Sequence, residues 1–394
     1  MKHYSEEEFL NQLLSIPSVN GVDDEREIAN FIAEYLKDCK VNVSVREIDQ
    51  RHANVVAVLG GKSKEKVVWN GHLDTVPYGK LSQWNTDPAV PAKKNGCIYA
   101  RGASDMKSGL AAMVYALGNM KQRGYIPEKT IYFLGTCDEE KGGLGAKEAV
   151  KEGIMDDAVL LLVGEPTGMK IGSAQKGCVW LKMKTKGKTS HGAYPQEGIN
   201  AVEYGFEIFR KLKEKLSEFV HPLLGQPTVQ ITGIKGGIVP NMTPDDAEFM
   251  LDIRTVPQVS TGEILRYALC LSQTYERNTD GMLKTEFTVE NERMAIETAP
   301  DDLWLRKTEW VERCMYLSAS QTGINYFTDA SILAEGKKDL PVILLGPGEP
   351  FLAHKPDEYV ELKKYLQFIE FLEKILYLIF DYPYKHYTFK YFEV

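Results

Sequence analysis

Hydrophobic positions along the first 170 residues follow two periodicities. Short apolar runs such as NVVAVL, KVVWN, TIYFL and AVLLLV have the length of β-strands. Amphipathic segments lie between them, and EREIANFIAEYL places Ile28, Ile32 and Leu36 on one helical stripe. An earlier helix is marked by Ser5 with Glu8 three residues on, the pattern of a capping box. Strands that alternate with helices predict an α/β fold whose sheet has helices on both sides.

The pattern changes after about residue 173. From there to about residue 290 the spacing predicts a strand, a long helix, two strands, a helix and a final strand. This β-α-β-β-α-β order is that of a ferredoxin-like α+β domain. The α/β rhythm then resumes with the strand PVILL and a closing helix. We therefore predict a larger domain in two parts, residues 1–174 and 291–394, with a second domain inserted at residues 175–290.

Length and composition narrow the class of protein. A chain of 394 residues, 43% hydrophobic and 26% charged, is ordinary for a globular protein of two domains. A formal net charge of -8 argues against nucleic acid and anionic membranes as partners, and no apolar run approaches a membrane span. Six cysteines without a C-x-x-C pair favour a reducing compartment, so we expect a cytoplasmic protein. The aromatic segment at residues 381–394 supports no functional prediction.

Polar residues suited to chemistry follow the predicted strands. In an open α/β sheet, ligands bind at the carboxyl ends of the strands. His72 and Asp74 follow KVVWN and, being two residues apart, project to the same side of an extended chain. An imidazole at this position can bind a metal ion while a carboxylate orients or tunes the site. Taken alone, a His-x-Asp pair is more often a structural hydrogen bond.

Three acids occupy similar positions. Asp105 precedes a predicted helix and by itself would be a helix cap, although Ser104 can supply that cap and leave the carboxylate free. Glu140 belongs to the acidic run CDEE after TIYFL, and Glu165 lies one glycine beyond AVLLLV. A buried acid needs a partner, and a metal ion is one of the few that offsets the cost of desolvation.

A second histidine extends this set. His354 follows the glycine-rich stretch GPGEPFLA and in isolation would be a surface residue. Two histidines and three acids near strand ends of one sheet make a mixed nitrogen and oxygen donor set, which suits zinc or a similar divalent ion. Five donors exceed the need of one tetrahedral site, so a pair of ions about 3.5–4 Å apart, bridged by a carboxylate, would use them all.

Seven motifs carry a family resemblance along nearly the whole chain. In order they are GHLDTVP, GASDMKSG, DEEKGG, VGEPT, KTSHGAYPQEGINA, VPNMTPDDAEFMLDIR and GPGEPFLAHKPDEY. Together they resemble the acetylornithine deacetylase and succinyl-diaminopimelate desuccinylase family of di-zinc amidohydrolases, which belongs with the aminoacylases and glutamate carboxypeptidases. The resemblance implies a zinc-peptidase-like catalytic domain with a mixed sheet flanked by helices. It also implies that the inserted domain is a lid that forms a homodimer.

The resemblance assigns a metal site to the catalytic domain. It implies two divalent ions per chain, most often zinc, with cobalt or manganese as alternatives. Asp105 would bridge the two ions, His72 and Glu165 would complete one site, and Glu140 and His354 would complete the other.

The remaining roles also come from the resemblance. Glu139 would be the general base, and Asp74 would orient the first metal-binding histidine. In the inserted domain His191 matches a histidine that stabilises the oxyanion, often across the dimer. Asn241 and Arg254 match residues that contact the carboxylate side of the substrate.

The predicted reaction is hydrolysis of the amide bond of an N-acyl amino acid by metal-activated water. A metallo-dipeptidase or carboxypeptidase acting on a short peptide is the alternative, whereas a non-catalytic binding module would require a lost ligand or base. The ending AHKPDEY resembles the deacetylase branch, but Glu165 resembles the desuccinylase, aminoacylase and carboxypeptidase branches, so the acyl group stays open. Arg254 has an alternative partner in Asp252, and Asp138 receives no role beyond support of the turn.

Overall fold

The computed structural model describes the backbone of residues 4–380 and the side chains of residues 4–375. Contacts within the chain divide it into two units. The first unit contains the residues up to Ser173, Thr298–Thr322 and the residues from Thr328 onward, and the second contains Ala174–Glu297 and Gly323–Phe327. The aromatic segment 381–394 lies outside the described residues. None of the described helices combines the length and hydrophobicity that crossing a membrane requires.

The chain up to Gln175 contains the predicted strands and helices, together with three short strands that the pattern did not predict. Its elements are α1 (Glu6–Leu14), α2 (Arg26–Asp38), β1 (Asn42–Glu47), β2 (Ala53–Leu59), β3 (Ser63–His72), β4 (Ala92–Lys94), β5 (Cys97–Tyr99), α3 (Lys107–Gln122), β6 (Lys129–Thr136), α4 (Leu144–Lys151), β7 (Ala158–Val163) and β8 (Ile171–Gln175). The three short strands that were not predicted are β4, β5 and β8. The capping box predicted at Ser5 and Glu8 is present at the start of α1.

The second unit has the predicted β-α-β-β-α-β order. Its elements are β9 (Gly177–Lys186), α5 (Ala201–Leu216), β10 (Thr228–Gly236), β11 (Asp246–Thr255), α6 (Thr261–Asn278) and β12 (Lys284–Arg293), followed by the short β13 (Ile296–Glu297). The strands pair antiparallel in the order β10-β11-β9-β12. Buried and less buried positions alternate along β11 because one face of the sheet is covered by the helices.

The remaining elements are α7 (Leu303–Cys314), β14 (Gln321–Ile324), α8 (Ala330–Leu333), β15 (Val342–Leu344), β16 (Tyr359–Glu361) and α9 (Leu362–Phe380). In the first unit, the main sheet has the strand order β1-β2-β6-β3-β7-β15-β8. The central strands β6, β3, β7 and β15 are parallel, whereas β1, β2 and β8 pair antiparallel with their neighbours. The sheet is therefore mixed, as expected, and the carboxyl ends of its parallel strands lie at one edge.

Helix α3 is a long helix whose residues are mostly buried, and it fixes the chain near the sheet edge. It packs against β3, α1 and α9, which explains why its sequence is apolar almost all round. A Cβ atom on Gly109 would lie 1.9 Å from the carbonyl oxygen of Gly164. Only glycine therefore permits α3 to approach the segment that follows β7.

The side chain of Glu312, in α7, is also buried in the first unit, and its burial predicts how stability changes with pH. Burial raises its pKa to about 7 from an ordinary 4.5, and the charge of Glu309 adds to the effect. The folded protein therefore binds this proton more tightly than the unfolded chain does, so the stability contributed by Glu312 falls as pH rises from about 4.5 to 7. We expect Glu312→Gln to raise the free energy of unfolding by on the order of 2–3 kcal/mol at pH 8 and by little at pH 4.5.

Denaturant unfolding at several pH values measures this difference. Glu34→Gln, which changes an exposed glutamate of α2, is the matched control and should show no such trend. A Glu312→Gln variant whose stability relative to the wild type is the same at both pH values would contradict the prediction.

Candidate metal centre

The parallel strands bring three polar clusters to the same edge of the sheet. Strand β3 lies between β6 and β7 and is parallel to both, with His72 opposite Thr136. His72 is the last residue of β3, Glu139 and Glu140 follow β6 closely, and Glu165 comes two residues after β7. Side chains that are far apart in sequence therefore meet, as the strand-end argument predicts.

The carboxylate of Asp105 lies between two imidazoles. Its Oδ1 atom is 3.2 Å from Nε2 of His72, and its Oδ2 atom is 3.4 Å from Nε2 of His354. An Oε2 atom of Glu140 is 3.0 Å from the same nitrogen of His354, and Oε1 of Glu165 is 4.0 Å from Nε2 of His72. The structure thus brings all five predicted ligands together, in two groups that share Asp105.

The imidazole of His72 is oriented mainly by a backbone carbonyl group. Its Nδ1 atom is 2.9 Å from the carbonyl oxygen of Asp74, whereas the Asp74 carboxylate is 3.6 Å away. A hydrogen bond from Nδ1 to this carbonyl directs the Nε2 lone pair toward the Asp105 side. The Asp74 carboxylate instead accepts hydrogen bonds from the backbone N–H groups of Glu139 and Glu140, both at 3.1 Å. Asp74 therefore connects the histidine to the acidic turn.

Glu358, a buried acid outside the predicted set, fixes the backbone at Asp105. Its Oε1 atom accepts hydrogen bonds from the N–H groups of Ser104 and Asp105 at 2.8 and 2.9 Å. Its Oε2 atom pairs with Arg101 at 2.6 Å. The expectation that Ser104 caps α3 was wrong, because its hydroxyl is hydrogen-bonded to the backbone of Glu349 and the cap residue Met106 makes no side-chain cap bond.

Burial and mutual repulsion dominate the electrostatics of the acids. Burial raises the pKa of Glu165 and of Glu140, and in both cases the charge of Asp105 raises it further. Burial also raises the pKa of Glu139 well above its ordinary value. For Asp105 burial acts in the same direction, but hydrogen bonds with His354 and His72 outweigh it and lower its pKa.

This donor set fits divalent cations. Ligand atoms of His72, Asp105 and Glu140 all lie within 4.8 Å of one another. An Oε1 atom of Glu140 is buried without a hydrogen-bond partner, so it has an unused lone pair at the centre. Crowded carboxylates and imidazole nitrogens favour a divalent cation such as Zn²⁺, and the two oxygens of Asp105 each lie near one imidazole.

The predicted residues of the inserted domain lie in the second unit. His191 and Asn241 are on neighbouring exposed segments, where the N–H of Gly192 donates to the carbonyl of Asn241 at 2.8 Å. Arg254 donates through Nε and Nη2 to the two carboxylate oxygens of Asp252, at 2.8 and 3.2 Å. The alternative partner of Arg254 is therefore present, and contact of these residues with a substrate stays a prediction.

Sequence reasoning missed two residues that support the centre. Glu358 lies within the motif AHKPDEY, but nothing in its local sequence indicates the contact with Asp105. Asn20 lies in the stretch SVNG and donates to Asp74 and Asp138. Neither contact follows from hydrophobic periodicity. Glu358 is 253 positions from Asp105, and Asn20 is 54 positions from Asp74 and still farther from Asp138.

Comparisons with known proteins agree with this geometry. A model of peptidase family M20/M25/M40 matches residues 68–378. A probable succinyl-diaminopimelate desuccinylase of Staphylococcus aureus is 28% identical over 95% of this chain and 98% of its own. An acetylornithine deacetylase of Aliivibrio fischeri is 31% identical over 96% of this chain and 99% of its own.

Solved structures show the same fold at lower identity. The aminopeptidase PepT of Bacillus cereus superposes with a TM-score of 0.77 at 20% identity, covering 94% of this chain and 98% of its own. The metallo-carboxypeptidase Sso-CP2 of Sulfolobus solfataricus has a TM-score of 0.74 at 18% identity, covering 96% of this chain and all of its own.

Metal reconstitution tests the centre directly. We expect protein stripped with a chelator to bind two zinc ions per chain and to become more stable, because a ligand bound only by the native state at 100 times its Kd adds about 2.7 kcal/mol. Asp105→Asn should lose at least one of the two ions and most of this gain. Elemental analysis after dialysis and thermal unfolding measure both quantities.

The matched control is Asp357→Asn. The Asp357 carboxylate lies three residues after His354 but accepts from the backbone and side chain of Asn85. This variant should bind two ions. Retention of two tightly bound ions by Asp105→Asn would exclude the bridging arrangement.

Proposed function

The chain belongs to peptidase family M20/M25/M40, and from that membership we propose that it is a metal-dependent deacylase of N-acyl amino acids. The membership confirms the resemblance noted from the motifs, and the chain is a hydrolase acting on amide bonds. The observation that carries the proposal is the Asp105 carboxylate between His72 and His354, with the acidic turn beside it. Relatives named as deacylases match 95% or more of the chain, which supports a deacylase.

The chemistry needs a polarised carbonyl, an activated water and a proton acceptor. Two bound divalent ions, zinc or alternatively cobalt or manganese, would lower the pKa of water and polarise the amide carbonyl. Glu139 would accept the proton of the attacking water and pass it to the leaving amine. Glu139 and Glu140 lie in the turn after β6 and not on an extended segment. Glu140 contacts His354 and would be the ligand, which leaves Glu139 beside it as the proposed base.

The second unit would supply the substrate contacts. We propose that His191 donates to the developing oxyanion and that Asn241 and Arg254 bind the carboxylate side of the substrate. Because Arg254 already pairs with Asp252, a substrate carboxylate would share this guanidinium. An Arg254→Lys variant whose KM and kcat are both unchanged would remove that role.

We also propose a homodimer formed through the second unit. The turn that joins β10 and β11 exposes Ile238, Val239 and Met242, and such grouped apolar side chains are typical of contact surfaces. Sedimentation analysis that found only monomers at micromolar concentration would contradict the dimer.

The cysteines bear on the location of the protein. All six cysteines are free, which suits the reducing cytoplasm expected from the sequence.

The alternative function is a metallo-dipeptidase or carboxypeptidase. The two solved structures described above are named as an aminopeptidase and a metallo-carboxypeptidase, and a metal centre of this kind would serve either reaction. A dipeptidase differs from a deacylase in substrate recognition, since the dipeptidase must bind a free α-amine and the deacylase need not.

A substrate panel on zinc-reconstituted protein distinguishes the two. The panel contains N-acetyl amino acids, N-succinyl-diaminopimelate and dipeptides. We expect kcat/KM for the best acylated amino acid to exceed that for the best dipeptide by at least about tenfold, a difference of about 1.4 kcal/mol in transition-state binding. Cleavage of dipeptides alone would establish the alternative.

The role of Glu139 has its own test. Glu139→Gln keeps the shape of the side chain but cannot accept the proton, so we expect kcat to fall by about 10²–10⁴-fold while two zinc ions stay bound. Steady-state kinetics with elemental analysis measure both. Glu148→Gln, which changes a surface acid of α4 paired with Lys151, is the control. Near wild-type turnover by a two-zinc Glu139→Gln enzyme would exclude this base.

A further inference from the structure

We propose that Asn20 is a positioning residue of the metal centre, whose side-chain amide holds the acidic turn of Asp138, Glu139 and Glu140 against Asp74. The kinetic part of this inference rests on the proposed function, whereas its metal-binding part does not. It also gives a role to Asp138, the acid of the run CDEE that the family resemblance leaves unassigned.

The backbone of Asn20 is fixed next to the end of β3. Its N–H donates to the carbonyl of Thr75 at 2.9 Å, and the N–H of Thr75 donates to the carbonyl of Ser18 at 2.9 Å. The hydroxyl of Ser18 donates to the carbonyl of Leu73 at 2.8 Å. The backbone of Asn20 is therefore held by contacts that do not involve the acidic turn.

The amide of Asn20 joins two carboxylates. Its Nδ2 atom donates to Oδ2 of Asp74 at 2.8 Å and to Oδ1 of Asp138 at 3.0 Å. A primary amide has two N–H donors, and these two bonds use both. Carboxylate oxygens accept hydrogen bonds and cannot bond directly to each other. The amide therefore links Asp74 to Asp138.

Asp74 and Asp138 hold the two sides of the turn that contains Glu139 and Glu140. Asp74 accepts from the N–H groups of Glu139 and Glu140. Oδ2 of Asp138 accepts from the N–H of Leu144 at 3.3 Å, and the carbonyl of Asp138 accepts from Gly142 at 3.1 Å. A catalytic group must be held within about 0.5 Å of its productive position, so loss of the amide would misplace both glutamates.

Asn54 offers a matched control. Its Nδ2 atom donates to the carbonyl of Gly145 at 2.8 Å, and its Oδ1 atom accepts from the N–H of Cys137 at 3.2 Å. Asn54 therefore supports the two ends of the same turn through backbone groups only. A variant at Asn54 measures general loosening of the turn, and a variant at Asn20 adds the loss of the contacts with Asp74 and Asp138.

The first measurement is zinc affinity, determined by competition with a chromophoric chelator on metal-free folded protein. We expect Asn20→Ala to weaken zinc binding by about 10–100-fold, the usual effect of removing a partner that orients metal ligands. Asn54→Ala should weaken it far less, even where thermal unfolding shows a comparable loss of stability. Asn20→Gln keeps the amide and should recover part of the affinity. Equal zinc affinities for Asn20→Ala and Asn54→Ala would overturn the inference.

The second measurement is kinetic, at zinc concentrations that saturate each variant. Asn20→Ala should lower kcat by about 10–100-fold with KM nearly unchanged, because the amide holds the base without contacting the substrate. A rise in KM at constant kcat would overturn the positioning role. If the wild type hydrolyses nothing in the substrate panel, the proposed function fails, and the zinc affinities alone decide the role of Asn20.

Discussion

The shared carboxylate of Asp105 is the interaction on which the candidate centre depends. One oxygen faces His72 and the other faces His354, so the two groups of ligands cannot move independently. Burial raises the free energy of the charged form of these carboxylates, and the neighbouring acids raise it further. Bound divalent cations would offset this free-energy cost and would allow the chain to bury these carboxylates beside two imidazoles.

The fold supports this carboxylate from several sides. Three neighbouring parallel strands end at one edge and deliver His72, the acidic turn and Glu165. Helix α3 approaches the segment after β7 closely because position 109 is glycine. Glu358 then binds the backbone N–H of Asp105 and pairs with Arg101. The centre therefore depends on contacts among segments from the whole length of the first unit.

Membership of the family establishes hydrolysis of amides more firmly than it establishes the substrate. The same donor set suits deacylases and peptidases, because both need a polarised carbonyl and an activated water. Discrimination must come from groups that contact the acyl chain and the carboxylate of the substrate. Arg254 is one candidate in the second unit, and its ion pair with Asp252 means that its charge is already partly compensated.

The sequence by itself determined the main strands and helices, the order of elements in the second unit and the identity of the five candidate ligands, but not short elements such as β4, β5 and β16. These follow from hydrophobic period, from polar residues at strand ends and from motifs, all of which are local in sequence. The tertiary structure decided which groups support them. Ser104 bonds to Glu349, 245 positions away, instead of capping α3, and Asn20 joins Asp74 to Asp138. Local spacing could not predict these partners, because a hydrogen bond between distant segments depends on how the elements pack together.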